Sequence, residues 1–383
     1  MEAVLAAALG WEAGAGSGPA GADIASEAVH LADVQALPAP HMGNRARFSL
    51  ILRAQARKQK RRGRNRVSCY PSSTHISLRR SCQAGRTARM DHKAFLAGLD
   101  PAVRAALAQR SDARGLAHLV GHLGSIVLCG TLIAMAVPFW GLLLPVQGVL
   151  IVFLFTLEHE ATHKTPFASP WLNEAAGHAV GFLILLPFTW FRYFHLAHHR
   201  WTNIEGQDPE LLGATPGTVQ EWIVHVSGVP YWRSEVRLLW RLARGRERPP
   251  FLPDAARPRA GTEARIMAVG YAAVALSLAA SPLLVWVWLL PVVLGQPFLR
   301  LYLLAEHGDC PRVADMFLNT RTTFTTALVR FLAWNMPYHT EHHVFPAVPF
   351  HLLPDLHRKM RAELRVTSAG YAAFTRQYLG RRM

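Results

Sequence analysis

Two long stretches of this sequence contain no charged residue, and they restrict the fold more than any other feature. Residues 116–157 are 42 consecutive residues without Asp, Glu, Lys or Arg, and residues 266–299 are another 34. A helix of about 20 residues crosses the hydrocarbon core of a bilayer, so each stretch predicts two spans joined by a turn. The turns are predicted at "PFWG" (138–141) and at Ser281 and Pro282. We therefore predict an all-α integral membrane protein with four transmembrane helices in two hairpins. The approximate spans are 116–137, 141–158, 263–281 and 283–306.

The basic residues predict how the hairpins are oriented. The formal net charge is +16, and residues 192–265, between the hairpins, contain eleven arginines, whereas the turns at 138–141 and 281–282 contain none. By the positive-inside rule, the long loop and both termini face the cytoplasm.

The apolar stretch 175–191, which contains Pro187, is interpreted as a re-entrant or interfacial helix rather than a fifth span.

Residues 1–89 differ in composition from the rest of the chain. They lack apolar periodicity, and residues 41–90 hold 14 Lys or Arg and no acidic residue. We interpret them as a disordered basic extension and expect the native start at Met90, where an amphipathic sequence begins. A basic arm that touches anionic lipid or nucleic acid is the less favoured alternative, and no nucleic-acid partner is predicted. The predicted organisation is a disordered extension over 1–89, a cytoplasmic amphipathic helix over 90–115, and a membrane domain over 116–383 whose helical cytoplasmic cap comprises 159–262 and 307–383.

Three histidine clusters with helical spacing fall within these cap segments. They read "HEATH" (159–163), "HLAHH" (195–199) and "HTEHH" (339–343). Residues three or four positions apart share one face of a helix, so each cluster presents its imidazoles on one side. An even number of predicted crossings separates successive clusters, which lets all of them meet on one side of the bilayer. The eight candidate metal ligands are His159, His163, His195, His198, His199, His339, His342 and His343.

The first cluster also spells H-E-x-x-H, the signature of zinc proteases. A zinc protease needs two helical histidines, a third ligand and an open position, which makes four places in all. Eight imidazoles exceed what one ion can accept, so we predict two metal ions. Nitrogen or oxygen ligands are expected because the four cysteines are scattered. An intramembrane zinc protease is one alternative. A metal transporter is another, but its spans would contain ionisable residues, and these contain almost none.

The sequence around the clusters resembles that of the membrane fatty acid desaturases. The resemblance includes "HHRWTNIEGQDPE" (198–210) and "WNMPYHTEHHVFPAVPFHLLPDLH" (334–357), covers about residues 116–360, and is closest to the dihydrorhizobitoxine desaturase-like subgroup. It implies two non-heme iron ions with histidine ligands, O2 as co-substrate, four transmembrane helices and a cytoplasmic catalytic cap. It also implies a ninth ligand near the end of the fourth span, which His307 in "LLAEHGD" supplies. Nine imidazoles would then share two irons as four and five.

Glu160 and Glu341 are predicted to support the ligands. The resemblance implies that Asn203, Asp208 and Asn335 support ligand histidines or water near iron. For the Asn and Asp residues, turn and cap chemistry is the alternative. His118 and His122 are a rival ligand pair four positions apart, although a histidine at a helix entrance more often packs or snorkels. We interpret His178, His351 and His357 as surface or supporting groups.

The predicted function is oxygen-dependent desaturation, in which a carbon–carbon double bond forms in the acyl chain of a membrane lipid or acyl conjugate. Electrons are expected from a separate carrier, a ferredoxin or a cytochrome, because the sequence contains no flavin, nicotinamide or heme-binding motif. A hydroxylase or ketolase on the same scaffold is the nearest alternative. Heavy Arg and Ala usage with little Lys indicates a bacterial gene and hence the plasma membrane.

Overall fold

The computed structural model describes residues 90–213 and 215–383, which are mostly helical; the extension predicted to be disordered, 1–89, lies outside the described residues. The α-helices are α1 His92–Gly98, α2 Pro101–Leu107, α3 Asp112–Ala134, α4 Leu143–Val152, α5 Phe155–Thr162, α6 Pro170–Ile184, α7 Phe188–Trp201, α8 Val219–Val226, α9 Val229–Ala243, α10 Arg257–Ser277, α11 Leu290–His307, α12 Met316–Asn319, α13 Ala327–Leu332, α14 His339–Val344, α15 Leu353–Met360 and α16 Tyr371–Gly380. Short 3-10 turns lie at Trp140–Leu142, Pro209–Leu212, Asp254–Ala256 and Phe350–Leu352, and a π-helical turn lies at Val285–Leu289. Strands β1 Thr322–Thr323 and β2 Thr367–Ser368 pair in parallel.

Three helical stretches are long and apolar enough to cross a membrane, and they coincide with the predicted first, second and fourth spans. They are Pro101–Ala134, Trp140–Thr162 and Val285–His307. Helices α6 and α7 would together provide a fourth, but the chain bends by 101° between them. This bent pair contains the stretch that the sequence suggested to be re-entrant or interfacial. The described residues therefore offer three candidate spans, or four with the bent pair.

The predicted third span, 263–281, corresponds to α10, which begins earlier, at Arg257, and ends at Ser277. Four of its first nine residues are charged, so α10 is not among the helices apolar enough to cross a membrane by themselves. Its uncharged part, 266–277, is only about 18 Å long at 1.5 Å per residue. However, Val269 and Leu276 on this part are 70% and 77% exposed, which gives α10 an apolar outer surface.

The segment before the first span also differs from the expected single amphipathic helix over 90–115. It forms α1 and α2 and then enters α3. The break has a local cause, because the side chain of Asp100 accepts hydrogen bonds from the backbone amides of Ala102 and Val103, and Pro101 occupies the first position of α2. Asp and Pro in these positions start a helix.

Helices α4 and α11 approach each other closely through two glycines. A Cβ atom added to Gly148 would lie 2.0 Å from the carbonyl oxygen of Pro291, and one added to Gly295 would lie 2.3 Å from the carbonyl carbon of Gly148. Small residues allow helix backbones to approach in this way. The contact fixes the helices that lead to His159 and His307.

The turn between α6 and α7 (185–187) is held by side chains from later in the sequence. Tyr231, Trp288 and Tyr271 donate hydrogen bonds to the backbone carbonyls of residues 184, 183 and 182, respectively. Carbonyls at a helix C-terminus have no partner within the helix. The three aromatic side chains therefore supply hydrogen bonds to carbonyl groups that would have no partner in apolar surroundings.

The start of α7 is held in the same way by Glu263. Its two carboxylate oxygens accept hydrogen bonds from the backbone amides of Phe188 and Thr189, at 2.8 and 2.9 Å. His178 also contacts this carboxylate, at 2.8 Å. An anion at a helix N-terminus is stabilised by the free amides and by the helix dipole. Helix α7, which bears the second histidine cluster, is thereby fixed to α10.

Candidate metal centre

The four histidine-bearing segments meet because each lies at the end of an element fixed by packing. His159 and His163 lie at the end of α5, which continues the second candidate span, and His307 ends α11. His195, His198 and His199 lie in the last two turns of α7. Helix α14 carries His339, His342 and His343, and all six of its residues are buried. The structure thus brings all nine predicted ligand histidines together.

One cluster contains five imidazoles. His159, His163, His195, His199 and His342 each offer a ring nitrogen, and these nitrogens all lie within 4.8 Å of one another. The Nε2 atom of His342 is 2.8 Å from that of His159 and 3.1 Å from that of His199. The Nε2 atoms of His163 and His195 are also 2.8 Å apart. We call these five residues the first cluster.

A second cluster contains four imidazoles. The ring nitrogens of His198, His307 and His343 lie within 4.8 Å of one another. The Nε2 atom of His339 joins them, at 3.1 Å from those of both His307 and His343. The Nε2 atoms of His198 and His307 are 3.2 Å apart. These four residues are the second cluster.

The spacing of these nitrogens fits metal coordination. Two nitrogens about 2.1 Å from one ion, at about 90° to each other, lie about 3.0 Å apart. The Nε2 distances above, from 2.8 to 3.2 Å, agree with that separation. Each cluster therefore offers several imidazoles that can hold one metal ion, and the donor set is entirely nitrogen.

The histidines of α14 are also in the protonation state that binds metal. Burial, and then the neighbouring imidazoles, lower the pKa of His339, His342 and His343 well below the usual range. These rings are therefore neutral at physiological pH. A neutral imidazole has the free nitrogen lone pair that a metal ion requires.

The outward-facing Nδ1 atoms of three ligands donate hydrogen bonds that fix the orientation of each ring. The acceptor for His198 is the carboxylate of Asp208, at 3.0 Å. His307 donates to the backbone carbonyl of Asn319 at 3.0 Å, and His343 donates to the hydroxyl oxygen of Thr202 at 3.1 Å. The Nδ1 atom of His339 lies 3.3 Å from a carboxylate oxygen of Glu306. The three hydrogen bonds direct the Nε2 atoms of His198, His307 and His343 into the second cluster.

Asp208 combines the two roles considered for it. Besides His198, its carboxylate accepts hydrogen bonds from the backbone amides of Asn203, at 2.6 Å, and Glu210, at 2.9 Å. It therefore caps the short helix Pro209–Leu212 and supports a ligand. Asn203 supports no imidazole directly; its side chain donates to three backbone carbonyls, at 3.3 to 3.4 Å, in the segment after α11.

The remaining predicted supporting residues act on the backbone or on neighbouring side chains. Glu160 accepts hydrogen bonds from the Thr165 hydroxyl, at 2.8 Å, and the backbone amide of Phe350, at 3.1 Å. Its other oxygen is 3.6 Å from Nδ1 of His342, which is longer than a hydrogen bond. Glu341 contacts the Thr322 hydroxyl and His357. Asn335, with φ of 57°, donates to the Phe350 carbonyl and contacts no ligand.

The rival pair His118 and His122 packs against the aromatic core instead of joining either cluster. Nε2 of His118 donates to the carbonyl of Phe331, and Nε2 of His122 donates to the carbonyl of Leu150, both at 2.8 Å. The indole of Trp334 donates to Nδ1 of His122. Both ring nitrogens of His122 are therefore occupied.

Two supporting groups were missed by the sequence reasoning. Thr202 lies three residues after the ligand His199, and that helical spacing is a signal that could have identified it. The carbonyl of Asn319 gives no such signal, because every residue has a backbone carbonyl and only the fold selects this one.

Replacing Asp208 by alanine is expected to weaken metal binding by about 10- to 100-fold. The reason is that His198 would lose the acceptor that orients its ring, and the loop after α7 would lose two backbone contacts. The measurement is iron retention against a chelator of known affinity. Glu205→Ala is the control, since this side chain lies in the same loop and is 80% exposed. Equal retention in the two variants would contradict the assigned role of Asp208.

Comparisons with known proteins give a consistent result. A family model described as "Fatty acid desaturase" matches residues 135–375, more than half of the chain. An sn-1 oleoyl-lipid 12-desaturase of Picosynechococcus sp. is 30% identical over 29% of this chain and 35% of its own length. A sphingolipid delta(4)-desaturase/C4-monooxygenase of Mus musculus is 27% identical over 54% of this chain and 60% of its own length. An endoplasmic reticulum omega-3 fatty acid desaturase of Vigna radiata is 32% identical over 24% of this chain and 25% of its own length. The chain thus spans less than two thirds of these relatives.

Proposed function

Because the chain belongs to the fatty acid desaturase family, we propose that it forms a carbon–carbon double bond in the acyl chain of a lipid or acyl conjugate. In this proposal the reaction depends on O2, and the first and second clusters each hold one non-heme iron ion. Electrons come from a separate carrier of the ferredoxin or cytochrome type. The observation that carries the proposal is the pair of adjoining clusters made only of imidazoles.

The two clusters lie close together because consecutive histidines of one helix belong to different clusters. His199 belongs to the first cluster and His198 to the second, and His342 and His343 divide in the same way. The rings of His199 and His343 stack with their centres 4.1 Å apart. The imidazoles of the two clusters would hold two iron ions, which with O2 and external electrons would supply an oxidant for an unactivated C–H bond. The chain itself orients the rings and keeps the centre buried, which excludes water.

The proposed membrane arrangement has four spans, with α10 completing the second hairpin. The exposed apolar side of α10 supports this role. His159 and His307 lie at the ends of the second and last candidate spans, so a centre that uses both lies at one membrane surface. The eleven arginines of residues 192–265 favour the cytoplasmic surface, and we propose a bacterial plasma membrane.

An apolar cavity supports a lipid substrate. It has a volume of about 350 Å³ and lies between α3, α4 and the π-helical turn, with Ile126, Ile151, Leu183 and Trp288 in its lining. Ile151 lies eight residues before His159 in one candidate span, about 12 Å along a helix axis. Apolar clefts of this size are typical of sites for lipid-like ligands. An acyl chain that enters from the bilayer would fit this cavity.

Hydroxylation is the second candidate function. The name of the Mus musculus relative includes both desaturase and C4-monooxygenase. Both reactions begin with removal of hydrogen from a methylene group, so the same centre can serve either.

A zinc protease is less favoured as an alternative. The carboxylate of Glu160 in the H-E-x-x-H sequence already accepts hydrogen bonds from the Thr165 hydroxyl and the Phe350 amide. A protease needs this carboxylate free as a base.

The test is product analysis in a bacterial host that makes only saturated acyl chains. We expect lipids that are lighter by two hydrogens in cells expressing the protein, and only when O2 is supplied. Mass spectrometry with ¹⁸O₂ distinguishes the candidates, since a gain of one labelled oxygen would favour the hydroxylase. Unchanged lipids in cells whose purified protein holds iron would contradict the proposal for this substrate class.

A further inference from the structure

Four buried side-chain atoms on α9 and α11 lack the hydrogen bonds that burial normally requires. The atoms are Nε1 of Trp232, Oε2 of Glu235, Nε2 of Gln296 and Nε of Arg300, and none has a hydrogen-bond partner among the described residues. Glu235 and Gln296 are only 8% and 1% exposed. Since most buried polar groups in proteins are paired, four unpaired atoms in one region need an explanation. We call these four residues the polar cluster.

The contacts of these residues place them in one neighbourhood. A Cβ atom added to Gly228, which precedes α9, would lie 2.7 Å from Cγ of Gln296 and 3.7 Å from Nε1 of Trp232. The charge of Arg300 acts on the carboxyl group of Glu235. Both pairs join α9 to α11, so the four side chains lie where these two helices meet.

The polar cluster lies beside the metal centre. Gln296, Arg300 and His307 occupy positions i, i+4 and i+11 of α11 and therefore share one face of that helix. Along the helix axis, Arg300 is about 10 Å and Gln296 about 16 Å from His307. Glu158, which precedes the ligand His159, is fully buried and in electrostatic range of Glu235.

The free groups define what a ligand must offer. Three of them are N–H donors, which require oxygen acceptors, and the fourth is a carboxyl oxygen. Burial raises the pKa of Glu235 to about 7, while the positive charge of Arg300 opposes the shift. Glu235 is therefore partly ionised near neutral pH and can accept a hydrogen bond from a hydroxyl or amide group.

We propose that the polar cluster binds the amide or hydroxyl group of an acyl lipid whose chain reaches the metal centre. This inference rests on the proposed function and names its substrate class. An N-acyl amino alcohol offers a carbonyl oxygen for the N–H donors and a hydroxyl for Glu235. A plain acyl ester offers acceptors only, so it cannot pair with Oε2 of Glu235 when this residue is ionised. A phosphate is disfavoured because its charge would lie next to Glu235 with only Arg300 to balance it.

The test compares two probes with the same 18-carbon chain, N-stearoylethanolamine and methyl stearate, on the iron-loaded full-length protein in detergent. Affinity is measured by the change in tryptophan fluorescence. At pH 8, where Glu235 is mostly ionised, we expect N-stearoylethanolamine to bind about tenfold more tightly or better, because only this probe can pair with both the donors and the carboxylate of Glu235. Glu235→Leu and Gln296→Leu should each reduce that preference to about threefold or less without loss of iron.

Gln377→Leu provides the matched control, since it makes the same exchange on the exposed side of α16 and should keep the full preference. Equal affinity of the two probes for the unchanged protein would overturn the proposal, even if both variants failed to fold. A preference that survives both substitutions would overturn it as well. The desaturase proposal would fail differently, with the binding preference intact and no double bond in any lipid.

Discussion

Replacing His342 by alanine is expected to release iron and to lower turnover below about 1% of the unchanged enzyme. His342 is fully buried, and its Nε2 atom lies 2.8 Å from that of His159 and 3.1 Å from that of His199. It is thus an inner member of the first cluster. Loss of a supporting residue around a metal typically costs 10- to 100-fold in affinity or activity, and loss of a ligand should cost more.

Iron per protein, measured by mass spectrometry of the metal, and double-bond formation are the two readouts for His342→Ala. His351→Ala is the control, because His351 lies in the short turn Phe350–Leu352 that follows α14 and belongs to neither cluster. The control should retain full iron content. Full iron content and turnover in His342→Ala would contradict the assignment of His342 as a ligand.

Replacing Gly148 by alanine is expected to destabilise the protein by about 3 kcal/mol or more. The added Cβ would lie 2.0 Å from the carbonyl oxygen of Pro291 and 2.7 Å from the backbone nitrogen of Gly295. Both atoms belong to the backbone of a helix and cannot rotate away. Since α4 and α11 would have to separate, the helices that lead to His159 and His307 would also move relative to each other.

Thermal unfolding in detergent measures the effect of Gly148→Ala, and iron content reports on the centre. Gly124→Ala is a matched control on α3, where an added Cβ meets no atom within 4 Å. The control should be neutral or slightly stabilising, because alanine favours a helix over glycine by about 1 kcal/mol. The same unfolding temperature in both variants would show that the close contact of α4 and α11 does not determine stability.

The histidine clusters were predictable because their geometry is local. A spacing of three or four residues fixes which side chains share a helix face, as in His195, His198 and His199. The same spacing in His118 and His122 has another outcome, since their rings pack against Trp334 and Phe331. Spacing therefore selects candidates, and the tertiary surroundings decide which of them meet.

Other features depend on contacts that leave no mark in a local sequence window. The uncharged run 266–299 predicted that α10 belongs to a hairpin, but it did not predict that the helix begins at Arg257. Hydropathy marks only the apolar part of a helix and misses a charged first part. The polar cluster is equally non-local. Trp232 and Gln296 are more than 60 residues apart in the sequence, and only the packing of α9 on α11 brings them close.

The turn between α6 and α7 also sets the order in which the protein can be completed during synthesis. Its partners, Tyr231, Glu263, Tyr271 and Trp288, are made from about 40 to 100 residues after the turn itself. Before Trp288 has been synthesised, the carbonyl of Leu183 at the turn between α6 and α7 therefore lacks its hydrogen-bond donor. Since α7 carries three of the nine clustered histidines, the candidate metal centre is completed only after the last apolar helix has been synthesised.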